Sequence, residues 1–341
     1  MSFWSRIRGA FVRLFRGPEP APGRFVAGRN FSWRGMLRGS PWTWPSREYL
    51  VYVPRGYSRW KRRPLLVLLH GCRQTPEAIA QGTRIAAIAD RNGWLVLLPR
   101  QPVEANPWSC WNWFDARTMR GSGEAAIVVA QIESTRRAYR ADSRRIFVAG
   151  MSAGGAMAAV MAVQHSDLFS GVIIHSGLPC GAASSPMKAF DVMTQGADGP
   201  YEQLAVAARE RNAGKMVPLL AIQGERDEVV ANINAEQLVR QFLLLNGRVE
   251  LGAEPAAGLP PPDAATTLDP PGGHRASVDE YRVGTHTAAR LVRVSGLAHA
   301  WSGGDPELPY NDPQPPDASA MLADFIIEQI RAQRRPRFWR T

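Results

Sequence analysis

The sequence predicts an α/β domain built on a mostly parallel central sheet with helices on both faces. Continuous apolar runs of strand length, LLVLL at 65–69 and WLVLL at 94–98, are of the kind buried on both sides of a sheet. Segments of helical period alternate with such runs, which places crossover helices between parallel strands. At 150–154 the sequence GMSAG separates the strand-like IFVA from the small-residue helix AGGAMAAVMAV, so a strand becomes a helix over a single serine.

In chain order, 49–53 (YLVYV) reads as the first strand and 65–69 as the next. Residues 76–91 open on Thr-Pro and carry Ile79, Ile85 and Ile88, the start signal and spacing of a helix. A strand over 94–98, a helix over 124–139, a strand over 146–149, a helix over 153–165 and a strand over 171–174 follow. Later strands are expected at 217–222 and 290–294, with a helix over 235–245 between them and another over 318–331. Prolines at 255, 260, 261, 262, 270 and 271 make 253–275 a long surface loop. One domain over 48–330 results, flanked by segments 1–47 and 331–341.

Composition narrows the function classes. Over 341 residues, 45% hydrophobic content suffices for a core without disulfides or metals. No apolar run reaches the roughly 18 residues of a membrane-spanning helix. Three cysteines, Cys72, Cys110 and Cys180, allow at most one intrachain pair.

The net charge of +11 sits at the ends: nine arginines against Glu19 in 1–47, and five arginines without an acid in 331–341, leaving a body at −2. Without a recognition motif, that distribution gives no expectation of nucleic-acid binding. Residues 2–16 set Phe3, Trp4, Ile7, Phe11, Leu14 and Phe15 on one helical stripe, opposite Arg6, Arg13 and Arg16. This is a basic amphipathic helix, either an anchor on an anionic membrane or polymer granule or a helix packed on the body. Its arginines interrupt any secretory h-region, so a cytoplasmic or peripheral location is expected. Residues 17–47, rich in Gly, Pro and Arg, read as a linker.

The strand-to-helix turn forces a strained backbone that only small neighbours tolerate, and it lifts the Ser152 hydroxyl to the carboxyl edge of the sheet as a nucleophile. Such a hydroxyl needs a base, and the base needs an orienting acid. Of six histidines, His299 alone follows a late strand at that edge. His70, His165, His175, His274 and His286 lie elsewhere, and His70 reads as a loop-fixing residue. After VPLLAIQ, Asp227 is the preferred acid over Glu225 and Glu228, because Val229 and Val230 pack its turn. The backbone N–H groups of Ala153 and of Cys72, in the loop HGCRQ, are the expected oxyanion donors. Trp111, Trp113 and Trp301 are candidates for an apolar substrate wall. Cys110 paired with Cys72 would tie the Trp-rich loop beside the oxyanion loop, a pairing the sequence leaves open. No cysteine and histidine cluster has metal-ligand spacing, and no metal or organic cofactor is expected.

HGCRQT (70–75), NPWSCWNWFD (106–115), GMSAGGAMA (150–158), SGLPCG (176–181) and GLAHAWSGG (296–304) together resemble the polyhydroxybutyrate depolymerase-type esterases of the α/β-hydrolase fold, a group close to feruloyl and acetylxylan esterases. The resemblance covers roughly 48–330. It implies a serine esterase acting on short-chain hydroxyacyl esters, with Ser152, Asp227 and His299 at the matching positions, and it allows an extracellular location. Met151 stands where the family often has leucine, and Cys180 where it often has tyrosine. Secreted polymer-degrading members resemble chains with an added substrate-binding module, absent here, so soluble oligomers or small esters are the expected substrates. A feruloyl or acetylxylan carboxylesterase and a non-catalytic granule or membrane binder are the alternatives.

Overall fold

The computed structural model describes residues 23–30, 47–252 and 258–334. The expected helix over 2–16 and the segment 335–341 lie outside them. Strands β1 (Arg24–Asn30), β2 (Arg47–Val53), β3 (Arg63–Leu69), β4 (Leu95–Pro99), β5 (Ala141–Met151), β6 (Val172–His175), β7 (Leu219–Gly224), β8 (Ala264–Leu268), β9 (Ala276–Val283) and β10 (His286–Val294) form one sheet in the order β1-β2-β4-β3-β5-β6-β7-β10-β9-β8. The six strands from β4 to β10 in this order pair in parallel. Antiparallel strands complete both sides.

Leu65, Val67 and Leu69 of β3 face one layer, while Leu66 and Leu68 face the other. The period of two in a strand buried on both sides dictates this. The first layer holds α3 (Gly123–Tyr139), α4 (Ala153–Gln164), α5 (Pro186–Gln195), α6 (Tyr201–Arg211) and α7 (Asn232–Leu245), and the second α1 (Pro76–Gly82), α2 (Ile85–Asn92) and α8 (Ala318–Arg334). Among the described residues no helix is long and apolar enough to cross a membrane.

Three expectations need correction. The helix expected over 76–91 is two. Thr75 caps α1 by accepting from the Ala78 amide, but Arg84 takes a left-handed φ of 52°, and the chain restarts there as α2. The expected linker over 17–47 contains β1, a mostly exposed edge strand with little hydrophobic alternation. The expected loop over 253–275 contains β8, again an edge strand, whose Ala-Ala-Thr-Thr-Leu lies between prolines and is mostly exposed. His286 opens β10. Helices α5 and α6 were not anticipated, although Ser185 and Pro186 supply a start signal, with the Ser185 hydroxyl accepting from the Lys188 amide.

Candidate active site

Ser152 stands alone between β5 and α4 with φ 56° and ψ −125°. A non-glycine residue held there is strained and persists only when its surroundings fix it. They do: the Ser152 amide donates to the His175 carbonyl at 3.0 Å, and the Ala156 amide donates to the Ser152 carbonyl at 2.9 Å. A Cβ at Gly150 would collide with the Gly154 carbonyl, and one at Gly154 with the Leu69 carbonyl. The small residues around the serine therefore let α4 lie against the ends of β3 and β5.

The acid loop begins where β7 ends. Asp227 buries its side chain completely. Its Oδ1 accepts from the Val229 and Val230 amides at 3.0 and 2.8 Å, and its Oδ2 accepts from Gln223 Nε2 at 3.3 Å. Oδ2 also meets His299 Nδ1 at 2.8 Å. Burial works to raise the Asp227 pKa. The hydrogen bond and charge of His299, the Val230 amide and the Ser176 hydroxyl outweigh it and hold the carboxyl below its ordinary value. Glu225 and Glu228 point outward, and Glu225 accepts from the Ser295 hydroxyl instead.

His299 arrives on the loop after β10, which the acid loop clamps: the Glu225 amide donates to the Val294 carbonyl and the Arg226 amide to the Leu297 carbonyl, at 2.9 and 3.0 Å. The structure records no hydrogen bond between Ser152 Oγ and His299. The other histidines are engaged elsewhere. His165 Nε2 meets the Gly121 carbonyl, His274 pairs with Asp312, and His286 is exposed.

The loop after β3 approaches Ser152 closely, since a Cβ on Gly71 would sit 3.5 Å from the Ser152 Cβ. The Cys72 amide has no protein acceptor among the described residues, and Ala153 opens α4, where the first amides have no intrahelical partner. Both expected oxyanion donors are thus without a protein acceptor among the described residues.

That loop is fastened at several points. Cys72 and Cys110 form a disulfide with Cα atoms 4.2 Å apart, which realises the pairing the sequence left open. The Arg73 amide donates to the Trp108 carbonyl at 2.7 Å and the Trp111 indole to the His70 carbonyl at 3.0 Å. His70 Nε2 accepts from the Gln101 amide, so its proton lies on Nδ1, which donates to the Gly71 carbonyl at 2.8 Å. Burial pushes the His70 pKa down to about 4, keeping the ring neutral. Behind it, the buried Glu124 carboxylate accepts from Gln101 Nε2 (2.6 Å), the Asn112 amide (2.8 Å) and Asn112 Nδ2 (2.8 Å). Sequence reasoning missed Gln101 and Glu124, because polar residues distant along the chain announce no shared role.

Trp111, Trp113 and Trp301, the candidates for an apolar substrate wall, are all buried. Trp111 braces His70. Trp301 donates to the Ser319 hydroxyl and stacks on His175, with ring centroids 5.2 Å apart. Trp113 packs edge-on against Phe114. The exposed aromatics near the loop after β3 are Trp108, 54% exposed, and Phe190 of α5, whose ring centroid lies 6.5 Å away.

A model of the family described as Esterase PHB depolymerase matches residues 47–259. Poly(3-hydroxyalkanoate) depolymerase C of Paucimonas lemoignei is 32% identical over 204 residues, which are 59% of this chain and 49% of that protein. Feruloyl esterase B of Thermothelomyces thermophilus is 27% identical over 223 residues, 63% of this chain and 75% of that protein. The chain spans about half the length of the first of these relatives. An acetyl xylan esterase from Aspergillus awamori superposes with a TM-score of 0.62 at 18% identity, covering 80% of this chain and 94% of that one. An S-formylglutathione hydrolase from Agrobacterium tumefaciens superposes with a TM-score of 0.51 at 14% identity, covering 91% and 94%. At such identities the likeness concerns the fold, which is that of the α/β-hydrolases.

Proposed function

Because the chain belongs to the PHB depolymerase esterase family, we propose that it is a serine esterase hydrolysing short-chain hydroxyacyl esters or oligomers through Ser152, His299 and Asp227. The observation that carries this reading is the 2.8 Å bond between His299 and the fully buried Asp227, at the same sheet edge as the strained Ser152 turn. With Nδ1–H held by Asp227, the His299 ring presents Nε2 as the base. It takes the Ser152 proton as Oγ attacks the ester carbonyl. The oxyanion that forms is bound by the Cys72 and Ala153 amides, with the positive end of α4 behind it. His299 gives its proton to the leaving alcohol, then activates a water that breaks the acyl-serine bond and releases the acid. An absent hydrogen bond between serine and imidazole before substrate arrives is common in resting hydrolases.

The same reading gives an esterase domain over 48–330, preceded by a basic extension whose residues 24–30 add β1 to the domain's sheet, and followed by a basic tail. Contact with a membrane or polymer granule through residues 2–16 is part of it. The feruloyl esterase among the relatives supports a second reading, a carboxylesterase acting on feruloyl or acetyl groups. Initial rates on hydroxybutyrate oligomers, methyl ferulate and acetylated xylan separate the two. Fluorophosphonate labelling of the wild type but not of Ser152→Ala is the expected result. Loss of neither labelling nor p-nitrophenyl butyrate hydrolysis in that variant would refute the nucleophile, and a wild type inert to both would favour the non-catalytic binder.

A further inference from the structure

The near-neutral body conceals an uneven charge distribution. Ser152, Asp227 and His299 follow the carboxyl ends of β5, β7 and β10, and the opposite edge of the sheet is made by the starts of β3, β4 and β5. Arg63 at the start of β3 is in register with Ala141 at the start of β5, so the loop 54–62 and the turn after α3 are neighbours. The Tyr57 hydroxyl joins them by donating to the Tyr139 carbonyl at 3.0 Å, and Arg59, Arg63 and Arg140 all lie close enough to act on that hydroxyl. Arg55, Arg59, Lys61, Arg62, Arg91 and Arg140 are exposed here, and none joins an ion pair among the described residues. The nearby carboxylates are otherwise engaged: Asp142 pairs with Arg145, Glu133 with Arg136, and Asp90 accepts from the Arg55 amide.

Trp60 stands within this cationic loop, 82% exposed, with the Arg59 guanidinium 5.9 Å from its ring centre. An indole left in water gains nothing by its exposure, whereas at a bilayer interface the ring sits among headgroups while basic neighbours meet anionic lipid. The chain also enters the sheet here. Arg24 pairs with Val53, and Gly23 lies against the Tyr52 hydroxyl and Asp90, so the sequence bearing Arg6, Arg8, Arg13 and Arg16 joins the body at this same edge.

We propose that this edge, centred on Trp60, is a docking face for an anionic lipid surface. Docked so, the protein turns its Ser152 rim to the aqueous side and takes its ester from solution. A lone indole on a turn, with no helix or ribbon presented to a groove, fits a lipid surface better than a nucleic acid.

The test uses the full chain with phosphatidylcholine vesicles, with and without phosphatidylglycerol. In Trp60→Cys the thiol at 60 can be labelled with an environment-sensitive dye, because Cys180 is buried and Cys72 and Cys110 are bridged. The label shifts to the blue with phosphatidylglycerol vesicles only, and the shift weakens with salt. Partitioning of R59E/K61E/R62E, with Trp60 intact, falls by about a hundredfold or more, each basic side chain contributing about fivefold. Its p-nitrophenyl butyrate hydrolysis is unchanged. No binding of the wild type, binding without a shift at position 60, equal binding by the triple variant, or tighter binding to a duplex oligonucleotide at equal salt would each overturn the proposal.

Discussion

Asp227 holds His299 with one carboxylate oxygen, at 2.8 Å, while the Val229 and Val230 amides immobilise the other. The imidazole is thereby fixed by a group that is itself fixed, so it has a set tautomer and a set direction.

Asp227→Asn keeps the size of that side chain but can offer an N–H to His299, which favours the wrong tautomer. We expect kcat on p-nitrophenyl butyrate to fall by roughly 10⁴-fold with KM little changed. The depressed Asp227 pKa contributes stability above the ordinary carboxyl range and loses it as pH falls through the folded value. The melting temperature of the wild type should therefore exceed that of the variant by more at pH 7 than at pH 3. An equal gap at both would remove Asp227 from the acid titration.

Two buried neutral imidazoles set a second pH dependence. Burial lowers the His70 pKa to about 4. Burial together with the nearby His299 lowers that of His175 to about 3. The unfolded chain takes up these protons near pH 6.5 and the folded protein does not, so stability is full above that pH and declines below it. Each ring contributes a slope approaching about 1.4 kcal/mol per pH unit. Urea unfolding at pH 7.5, 6 and 5 should show the decline, and a flat profile would contradict the buried neutral assignment.

Glu124→Ala strips an acceptor from Gln101 Nε2, the Asn112 amide and Asn112 Nδ2 together. Gln101 Nε2 keeps the Cys110 carbonyl and Asn112 Nδ2 the Ala105 carbonyl, but the Asn112 amide loses its acceptor, and the three lost bonds together cost about 2–4 kcal/mol of stability. Because Gln101 also donates to His70, the loop carrying the Cys72 amide loosens, and kcat should fall by about tenfold while KM moves less. A variant that loses stability yet keeps full kcat below its melting range would show the network to be structural only.

Trp108→Ala removes an exposed ring beside the loop after β3. Melting should be unchanged, and KM for p-nitrophenyl hexanoate should rise severalfold more than for the acetate, since an apolar wall discriminates by about 1–3 kcal/mol per methylene. Equal effects on both esters would exclude Trp108 from the acyl side.

Legibility followed the range of the signal. Ser152 could be read because its turn is local: a strand, two glycines and a small-residue helix within a few positions. The parallel strands from β4 to β10 could be read because both of their faces are buried. β1 and β8 could not, because an edge strand with exposed side chains has no hydrophobic period to reveal. The orientation of Trp111 and Trp301 was equally hidden. A loop tryptophan serves as substrate wall or as internal brace depending on partners far along the chain, here His70 and Ser319. The cationic edge was masked by the neutral sum of the body, since charge cancels in a total but not in space.

The bridge between Cys72 and Cys110 closes 38 residues, and such a link stabilises a chain by about 4 kcal/mol through the disorder it removes from the unfolded state. One of its two ends follows Gly71, the residue that approaches Ser152. Dithiothreitol in a purification buffer would therefore undo the covalent tie between the loop after β3 and the Trp-rich loop. Turnover recorded in oxidised and in reduced preparations would then belong to two differently tethered forms of the loop beside Ser152.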